Sequence, residues 1–264
     1  MPQPSSGAPI EVFWMPHCSS CMAVKKFLDD RGVAYTSINV VEDKAAMTRL
    51  AALGARSVPV VVQGERFIFA QYLRDVSAFL ELDKVSVEAL DRVALAARLL
   101  PLLEITLKVI ERTPEATLAQ NLPGRDRSYF VVAHHVFQIA AAARRGIPDG
   151  RLHDRDSLQE PPQEMATREA LLIFARWVLA NVRDWPLELA HHSETDAVVT
   201  DYGPRKLGEV LHRVVSHAAQ HARQLATWAQ AQNVVLDQEF NPALLDGLTV
   251  ADEAFDRQLA VGQR

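Results

Sequence analysis

The stretch FWMPHCSSCMAVKKFLDDRG, residues 13–32, contains both cysteines of this 264-residue chain, Cys18 and Cys21. It starts inside a β-rich run, IEVFW, and continues as a segment whose apolar residues recur at helical spacing until Gly32. The pattern predicts that the cysteine pair lies between a strand and the first turn of a helix.

The residues that follow alternate between strand and helix patterns. Further strands are predicted within AYTSINVV (34–41) and on both sides of a Gln63–Gly64 turn in SVPVVVQGERFIF (57–69). Helices are predicted within DKAAMTRLAALG (43–54) and QYLRDVSAFLEL (71–82). The resulting order, β-α-β-α-β-β-α, indicates a small α/β sheet domain.

A CxxC pair at the start of a helix is suited to thiol chemistry. The free N–H groups and the partial positive charge of the helix N-terminus stabilise a thiolate, so Cys18 is the expected nucleophile. Cys21, one turn further along, can then attack the mixed disulfide and release the product. The alternative is half of a zinc site, but a structural zinc site needs four ligands and the chain has no second CxxC.

Pro59 provides a second indication. A proline that opens a buried strand removes a ladder donor, and it is tolerated where the N–H is not needed, as in a cis-proline loop facing the thiols. Residues 10–82 thus resemble the glutaredoxin and thioredoxin-like family, through WMPHCSSC (14–21), SVPVVV (57–62) and LDDRGVAYTSINV (28–40).

This resemblance implies an α/β thioredoxin-like fold and a role for each matched residue. It implies that Cys18 is the nucleophile, that Cys21 is the resolving thiol, and that Val58 with Pro59 forms the edge that pairs with a bound thiol peptide. Glutathione or another low-molecular-weight thiol is the implied cofactor. Small thiols and disulfides are the implied partners.

Beyond Lys84 the strand patterns stop, and the chain shows long amphipathic helix patterns separated by loops rich in Pro, Gly and Asp. The predicted helices are residues 86–112, 126–145, 165–184 and 205–231, with one more within 249–260. Four such helices indicate an all-α four-helix bundle. We therefore predict two domains, 1–84 and 85–264, with the boundary within 81–87.

The helical part contains most of the nine histidines. His217 and His221 are four residues apart, so on one helix they point the same way and can share a metal ion. The adjacent His134 and His135, on another predicted helix, offer a third ligand. The alternative is that each pair consists of surface or capping histidines.

The order of these histidines along the chain resembles the DinB/YfiT-like metal-binding bundle family. The motifs are VVAHHVFQIA (131–140) and VVSHAAQHARQL (214–225). The resemblance implies His217 and His221 as ligands, with His135 preferred as the third and His134 as the alternative. The four remaining histidines of this part are expected to be loop or surface residues: His153, His191, His192 and His212.

Three neutral imidazoles leave a divalent ion its full charge and an open position, where it can hold a thiol deprotonated. Zinc is the default ion, and nickel or iron(II) also suit imidazole ligands. The bundle family includes enzymes that use low-molecular-weight thiols as S-transferases or isomerases, which implies a small electrophilic substrate.

Composition excludes several other classes. The net charge of −5 gives no basic surface for nucleic acid, and two cysteines are too few for a secreted disulfide scaffold. The N-terminus lacks a signal-peptide pattern, and the most apolar stretch (93–110) is interrupted by Arg98, Pro101, Glu104 and Lys108, which argues against a membrane span. A soluble cytoplasmic protein is the expectation.

Three functions remain open on the sequence. The first is a thiol–disulfide oxidoreductase coupled to a metal-dependent, thiol-using S-transferase or isomerase. The second is a glutaredoxin-like disulfide reductase whose bundle binds substrate or forms a homodimer. The third is a non-catalytic stress or metal-binding protein.

Overall fold

The structure is a computed structural model with two compact units, Met1–Val87 and Glu88–Arg264. The predicted boundary falls largely on residues outside the described ones, as do residues 252–260 of the last predicted helix; residues 249–251 are not helical. The described residues are 8–16, 18–55, 57–82, 90–122, 127–236 and 240–251.

The first unit contains four strands and three helices in the predicted order, β-α-β-α-β-β-α. They are β1 (Ile10–Trp14), α1 (Ser19–Asp29), β2 (Thr36–Asn39), α2 (Lys44–Ala52), β3 (Val60–Gln63), β4 (Arg66–Phe69) and α3 (Leu73–Phe79). The strands form a mixed sheet of order β2-β1-β3-β4, in which β1 is parallel to β2 and antiparallel to β3. The β3–β4 turn contains Gly64, whose φ of 65° favours glycine.

Helices cover both faces of this sheet. Because successive strand residues point to opposite faces, Val12 and Phe13 of β1 belong to different apolar clusters. Val12 packs with α1 and α3, whereas Phe13 packs with α2. Burial on both faces explains why β3, which reads Val60-Val61-Val62, is continuously apolar.

The second unit contains the four predicted long helices, with bounds close to those expected. Shorter elements lie between them, in segments predicted to be loops. The elements are α4 (Arg92–Arg112), α5 (Glu115–Leu118), α6 (Tyr129–Gly146), α7 (Asp154–Ser157), α8 (Arg168–Val182), α9 (Trp185–Leu189), β5 (Ala197–Thr200), β6 (Gly203–Lys206), α10 (Leu207–Ala231) and a 3₁₀ turn (Pro242–Leu245).

The long helices pack around one apolar core. Helices α4 and α6 each contact both α8 and α10, so the core lies among the four. Side chains at its centre, such as Leu103, Phe137, Leu171 and Leu211, are fully buried. Side-chain caps start three of these helices: Asp91 on α4, Ser128 on α6 and Thr167 on α8.

The expectation that strands stop after Lys84 is wrong. Strands β5 and β6 form an antiparallel hairpin joined by Asp201 and Tyr202, and Gly203 has a φ of 87°. Val198 and Thr200 face inward while Ala197 and Val199 are exposed, a short alternation inside a polar segment. The hairpin leads directly into α10.

The chain after the 3₁₀ turn runs along α10. Backbone groups of Gly247–Ala251 are hydrogen-bonded by the side chains of His212, Ser216, Gln220 and Arg223. These polar residues are therefore partnered by a segment that follows α10 in sequence.

No helix within the described parts of the chain is long and apolar enough to cross a bilayer. The cytoplasmic location stays a prediction.

Candidate functional sites

The cysteine pair lies where the sequence pattern predicts, between β1 and α1. Cys18 is the N-cap of α1, and its sulfur accepts a hydrogen bond from the backbone N–H of Cys21 at 3.2 Å. The two cysteines form a disulfide, with their Cα atoms 5.2 Å apart. The first turn of the helix thus directs an N–H donor at the sulfur of Cys18.

The two sulfurs differ in solvent access. Cys21 has no exposed surface, because it faces the interior of the unit, whereas Cys18 is partly exposed. Only Cys18 is placed for attack on a ligand that arrives from solvent. This difference is consistent with the roles expected for the nucleophile and the resolving thiol, which themselves stay predictions.

Val58 and Pro59 are joined by a cis peptide bond, as the sequence predicted. The amide of Gln71 donates to the carbonyl oxygen of Val58 at 3.5 Å, and its own carbonyl oxygen is buried without a hydrogen-bond partner among the described residues. Gln71 therefore helps to hold the backbone of Val58 and Pro59, the edge that was predicted to pair with a bound thiol peptide.

Three of the predicted metal ligands lie together in the second unit. One ring nitrogen from each of His135, His217 and His221 can be chosen so that all three lie within 4.8 Å of one another. The Nε2 atoms of His135 and His217 are 3.4 Å apart. No cysteine or carboxylate among the described residues joins this group. We call these three residues the histidine cluster.

Hydrogen bonds orient two of the three rings. Nδ1 of His135 donates to the carbonyl oxygen of Ser157 at 2.9 Å, and Nδ1 of His221 donates to Oε1 of Gln224 at 2.8 Å. Because each Nδ1 carries the hydrogen, each Nε2 presents a lone pair to the cluster. This is the arrangement by which metal-ligating histidines are usually held.

Burial keeps the imidazoles of His135 and His217 neutral near pH 7. Desolvation, followed by the charge of Arg127, lowers the pKa of His135 to about 4. The pKa of His217 also lies well below its ordinary value, chiefly through desolvation, with contributions from the other two histidines and from Arg213 and Arg127. Neutral imidazole is the form that binds a divalent ion, so the cluster fits such an ion chemically.

His134 lies outside the cluster, although it adjoins His135 in sequence. Its ring stacks on Phe174 with centroids 5.1 Å apart, and its Nδ1 is buried without a hydrogen-bond partner among the described residues. Desolvation lowers the pKa of His134 to about 4. A 100° rotation per residue on α6 accounts for the different surroundings of the two rings.

The other four histidines also lie outside the cluster. His191 and His192 are exposed, as expected. His153 precedes α7, and its Nδ1 contacts Asp201 at 2.9 Å. The surface assignment is wrong for His212, which lies on α10, is partly buried and donates from Nε2 to the carbonyl oxygen of Gly247 at 2.9 Å.

A polar group next to the cluster was missed by the sequence analysis. Arg213, one helical turn before His217, pairs with Asp154 at 3.0 Å. The Tyr202 hydroxyl donates to the same carboxylate. Arg213 is four residues before His217, and Gln224 is three residues after His221. Helical spacing alone could therefore have indicated that both lie near these histidines. The Ser157 carbonyl has no comparable sequence signal.

Comparison with known proteins concerns the first unit. Residues 10–68 match the glutaredoxin family model. The chain is also similar to the Gene 56 protein of Mycobacterium phage D29, with 38% identity over 55 residues, which is 20% of this chain and 61% of the phage protein. The chain thus spans about three fifths of the length of that curated relative.

The first unit therefore contains a glutaredoxin domain, whose matched region includes both cysteines and the Val58–Pro59 bond. A thiol–disulfide oxidoreductase function, with thiols or disulfides as substrates, stays a prediction. The match ends before the helical unit begins. The DinB-like resemblance of that unit stays a prediction.

Proposed function

We propose that this chain is a two-part thiol enzyme: a glutaredoxin-type disulfide reductase joined to a metal-dependent, thiol-using S-transferase or isomerase with a DinB-like bundle. The observation that carries the proposal is the convergence of three imidazoles in a unit joined to a glutaredoxin domain. One unit would supply a small thiol by reducing its disulfide, and the other unit of the same chain would use that thiol.

In the first part, the Cys18 thiolate attacks one sulfur of a small-molecule disulfide. A mixed disulfide forms at Cys18, and the other sulfur leaves as a thiolate. Cys21, as the thiolate, then attacks the Cys18 sulfur, which releases the second small thiolate and leaves the Cys18–Cys21 disulfide. A pool of low-molecular-weight thiol, such as glutathione, restores the dithiol.

The N–H of Cys21 supports the first step, because a donor directed at the Cys18 sulfur stabilises its anionic form. The Val58–Pro59 edge, held by Gln71, supplies backbone groups to orient the ligand.

In the second part, His135, His217 and His221 hold a divalent ion, with zinc as the default and nickel or iron(II) as alternatives. When bound, the ion lowers the pKa of a small thiol and holds it as a nucleophilic thiolate. Ser157 and Gln224 orient two of these imidazoles, His135 and His221, so that their Nε2 atoms would be the ones to hold such an ion.

Metal analysis tests this proposal. The full chain, purified without chelators and supplied with zinc, nickel or iron(II), should contain close to one ion per chain by elemental analysis. His217→Ala and His221→Ala should each remove most of it, because two imidazoles hold an ion weakly. The ion should also raise the melting temperature, since it binds only the folded state. A content near zero with all three metals would eliminate the second part.

The two neighbouring histidines of α6 provide a matched pair for this assay. His135→Ala should lose the ion, whereas His134→Leu should keep it, because the His134 ring lies against Phe174 instead of in the cluster. Equal loss in both variants would point to a general packing defect. If the chain keeps its ion and reduces disulfides but transfers no thiol, the helical unit is better explained as a non-catalytic metal-binding module.

A second candidate is a disulfide reductase whose helical unit forms a homodimer. Ile173 and Trp177 favour it, because they lie four residues apart on α8 and are 61% and 50% exposed. Light scattering on the full chain and on Trp177→Glu would detect such a dimer and its loss.

A further inference from the structure

The short helix α7 holds one member of the histidine cluster. The carbonyl oxygen of Ser157, at the C-terminal end of α7, accepts from Nδ1 of His135 at 2.9 Å. The carbonyl oxygen of Asp156 accepts from the side-chain amide of Gln138 at 2.8 Å. Because His135 and Gln138 are three residues apart on α6, they lie on one face of that helix. The C-terminal end of α7 is thus attached to the face of α6 that carries His135.

The position of α7 is not set by α7 itself. An isolated helix of four residues is unstable in water, because too few hydrogen bonds offset the ordering of its backbone. Burial does not hold it either, since none of its four residues is buried. Contacts from other elements must therefore fix it.

Asp154 makes these contacts at the N-terminal end of α7. Its carboxylate pairs with Arg213 of α10 at 3.0 Å and accepts from the hydroxyl of Tyr202, in the turn of the β5–β6 hairpin. The guanidinium of Arg213 lies 5.4 Å from the centre of the Tyr202 ring, which is within cation–π range. Asp201, the other residue of that turn, accepts from the backbone N–H of Asp154 at 2.7 Å. Asp154 thus ties α7 to both α10 and the hairpin.

The two long helices that α7 connects both carry members of the histidine cluster. Arg213 is one helical turn before His217 on α10, whereas Ser157 holds His135 on α6. Only two residues separate Asp154 from Ser157 in the chain. A shift at the Asp154–Arg213 contact would therefore be transmitted to the carbonyl that orients His135.

We propose that Asp154 is a positioning residue for the histidine cluster. It holds α7 against Arg213 and Tyr202, so that the Ser157 carbonyl keeps Nε2 of His135 directed at the other two imidazoles. The inference rests on the proposed metal site. It assigns a role in that site to α7 and to the β5–β6 hairpin, neither of which contributes a residue to the cluster.

The tautomer of His135 provides a test that needs no metal. A carbonyl oxygen only accepts, so the bond to Ser157 requires the hydrogen on Nδ1. Nitrogen-15 NMR of the full metal-free chain, at a pH where the ring is neutral, shows which ring nitrogen carries it. His135 should be the Nδ1–H tautomer in the unaltered chain and a mixture of both tautomers in Asp154→Ala. Asp149→Ala is the matched control, because Asp149 is an exposed aspartate 3.9 Å from Arg151 and should leave the tautomer unchanged.

Zinc affinity distinguishes positioning from a simple effect of charge. If Asp154 acted only through its negative charge, its loss would weaken zinc binding and Arg213→Gln, which removes a nearby positive charge, would strengthen it. Positioning predicts that both variants bind zinc more weakly, by about 10-fold to 100-fold, as for other groups that orient a ligand. Competition with a chromophoric chelator measures the affinity, and Asp149→Ala should bind zinc as the unaltered chain does.

Tyr202→Phe keeps the inference testable if Asp154→Ala does not fold. It retains the ring beside Arg213 and removes only the hydroxyl that donates to Asp154, so it should change the tautomer and the zinc affinity in the same direction but less. An unchanged His135 tautomer in every folded variant, or tighter zinc binding by Arg213→Gln, would overturn the inference.

Failure of the metal site itself would give a different result. A chain that binds no zinc, nickel or iron(II) would eliminate the metal-dependent function. The tautomer measurement would still decide whether Asp154 positions His135, because it is made on the metal-free chain.

Discussion

At the scale of single residues, Cys18 and Cys21 are one helical turn apart but have different surroundings. Cys21 has no exposed surface, while Cys18 is partly exposed and receives the N–H of Cys21. A donor directed at a sulfur favours the thiolate, and burial in apolar surroundings disfavours it. The two thiols should therefore differ in both acidity and reactivity.

This difference predicts distinct phenotypes for the two serine variants. Cys18→Ser should abolish disulfide reduction, because no accessible nucleophile remains. Cys21→Ser should accumulate a mixed disulfide with glutathione and keep partial activity by a one-thiol route. Mass spectrometry after treatment with oxidised glutathione detects the adduct. Faster alkylation of Cys21 than of Cys18 at pH 6 would show that the roles are reversed.

Gln224 carries a second residue-scale prediction. It accepts from Nδ1 of His221, and its neutral amide adds no charge to the cluster. Gln224→Met preserves the approximate volume but removes the acceptor, so His221 loses its fixed orientation. Zinc affinity should fall by about 10-fold to 100-fold, as for other residues that orient a ligand. Competition with a chromophoric chelator measures it, and unchanged affinity would show that Gln224 does not orient the ring.

At the scale of elements, α10 has two functions on different faces. One face carries His217 and His221. Another carries Ser216, Gln220 and Arg223, which are buried and hydrogen-bonded to the backbone of residues 249–251. Buried polar side chains are tolerated only with such partners, so the terminal segment is part of the packing of this helix.

Removal of residues 247–264 should therefore destabilise the helical unit. Each of the three buried side chains would lose its hydrogen bond to this segment, at roughly 1–3 kcal/mol per group. A loss of several kcal/mol lowers the melting temperature by about 10 °C in a unit of this size. A chain that ends at Asp252 is the control, because it retains these hydrogen bonds. Calorimetry compares them, and equal transitions would show that the segment does not stabilise α10.

The sequence predicts the long helices and the elements of the first unit, but not the short elements of the second unit. Apolar spacing over many residues places α4, α6, α8 and α10, because burial of one face imposes the helical period. The hairpin at 197–206 is missed, because the two inward residues of β5, Val198 and Thr200, lie inside a polar segment that shows no extended apolar pattern. The hydrogen bond from Arg223 to Ala251 is also missed, because it is a tertiary contact without a local signal.

The same distinction applies to the candidate site. Spacing alone brings His217 and His221 together, because both lie on one helix. The choice of His135 over His134 came from a family resemblance, and the structure places His135 in the cluster. The orienting carbonyl of Ser157 depends on how two loops and helices distant in sequence meet, which no local pattern records.

At the scale of the whole molecule, each unit contains its own apolar core. Both clusters on the sheet consist of residues between 10 and 82, and the helical cluster consists of residues from 90 onward. Independent cores are the feature that allows a segment of chain to fold alone. The two proposed chemistries should therefore be separable.

A fragment of residues 1–87 should fold alone, with the circular dichroism of a mixed α/β protein and a cooperative melt. It should retain disulfide reduction, because it contains Cys18, Cys21 and the Val58–Pro59 edge. A fragment of residues 88–264 should retain the metal ion and lack that activity. A disordered first fragment would mean that the helical unit completes its core and that the division is misplaced.

The hydrogen bond from the Cys21 amide to the Cys18 sulfur links the oxidation state of the two cysteines to the N-terminal end of α1. A disulfide sulfur is a neutral, weak acceptor, whereas a thiolate forms a charge-assisted bond. Reduction should tighten the first turn of α1, and oxidation should loosen it. Deuterium would then replace the Cys21 amide proton more slowly in the reduced protein. The exchange rate of this one backbone proton therefore reports whether the cysteine pair is reduced or oxidised.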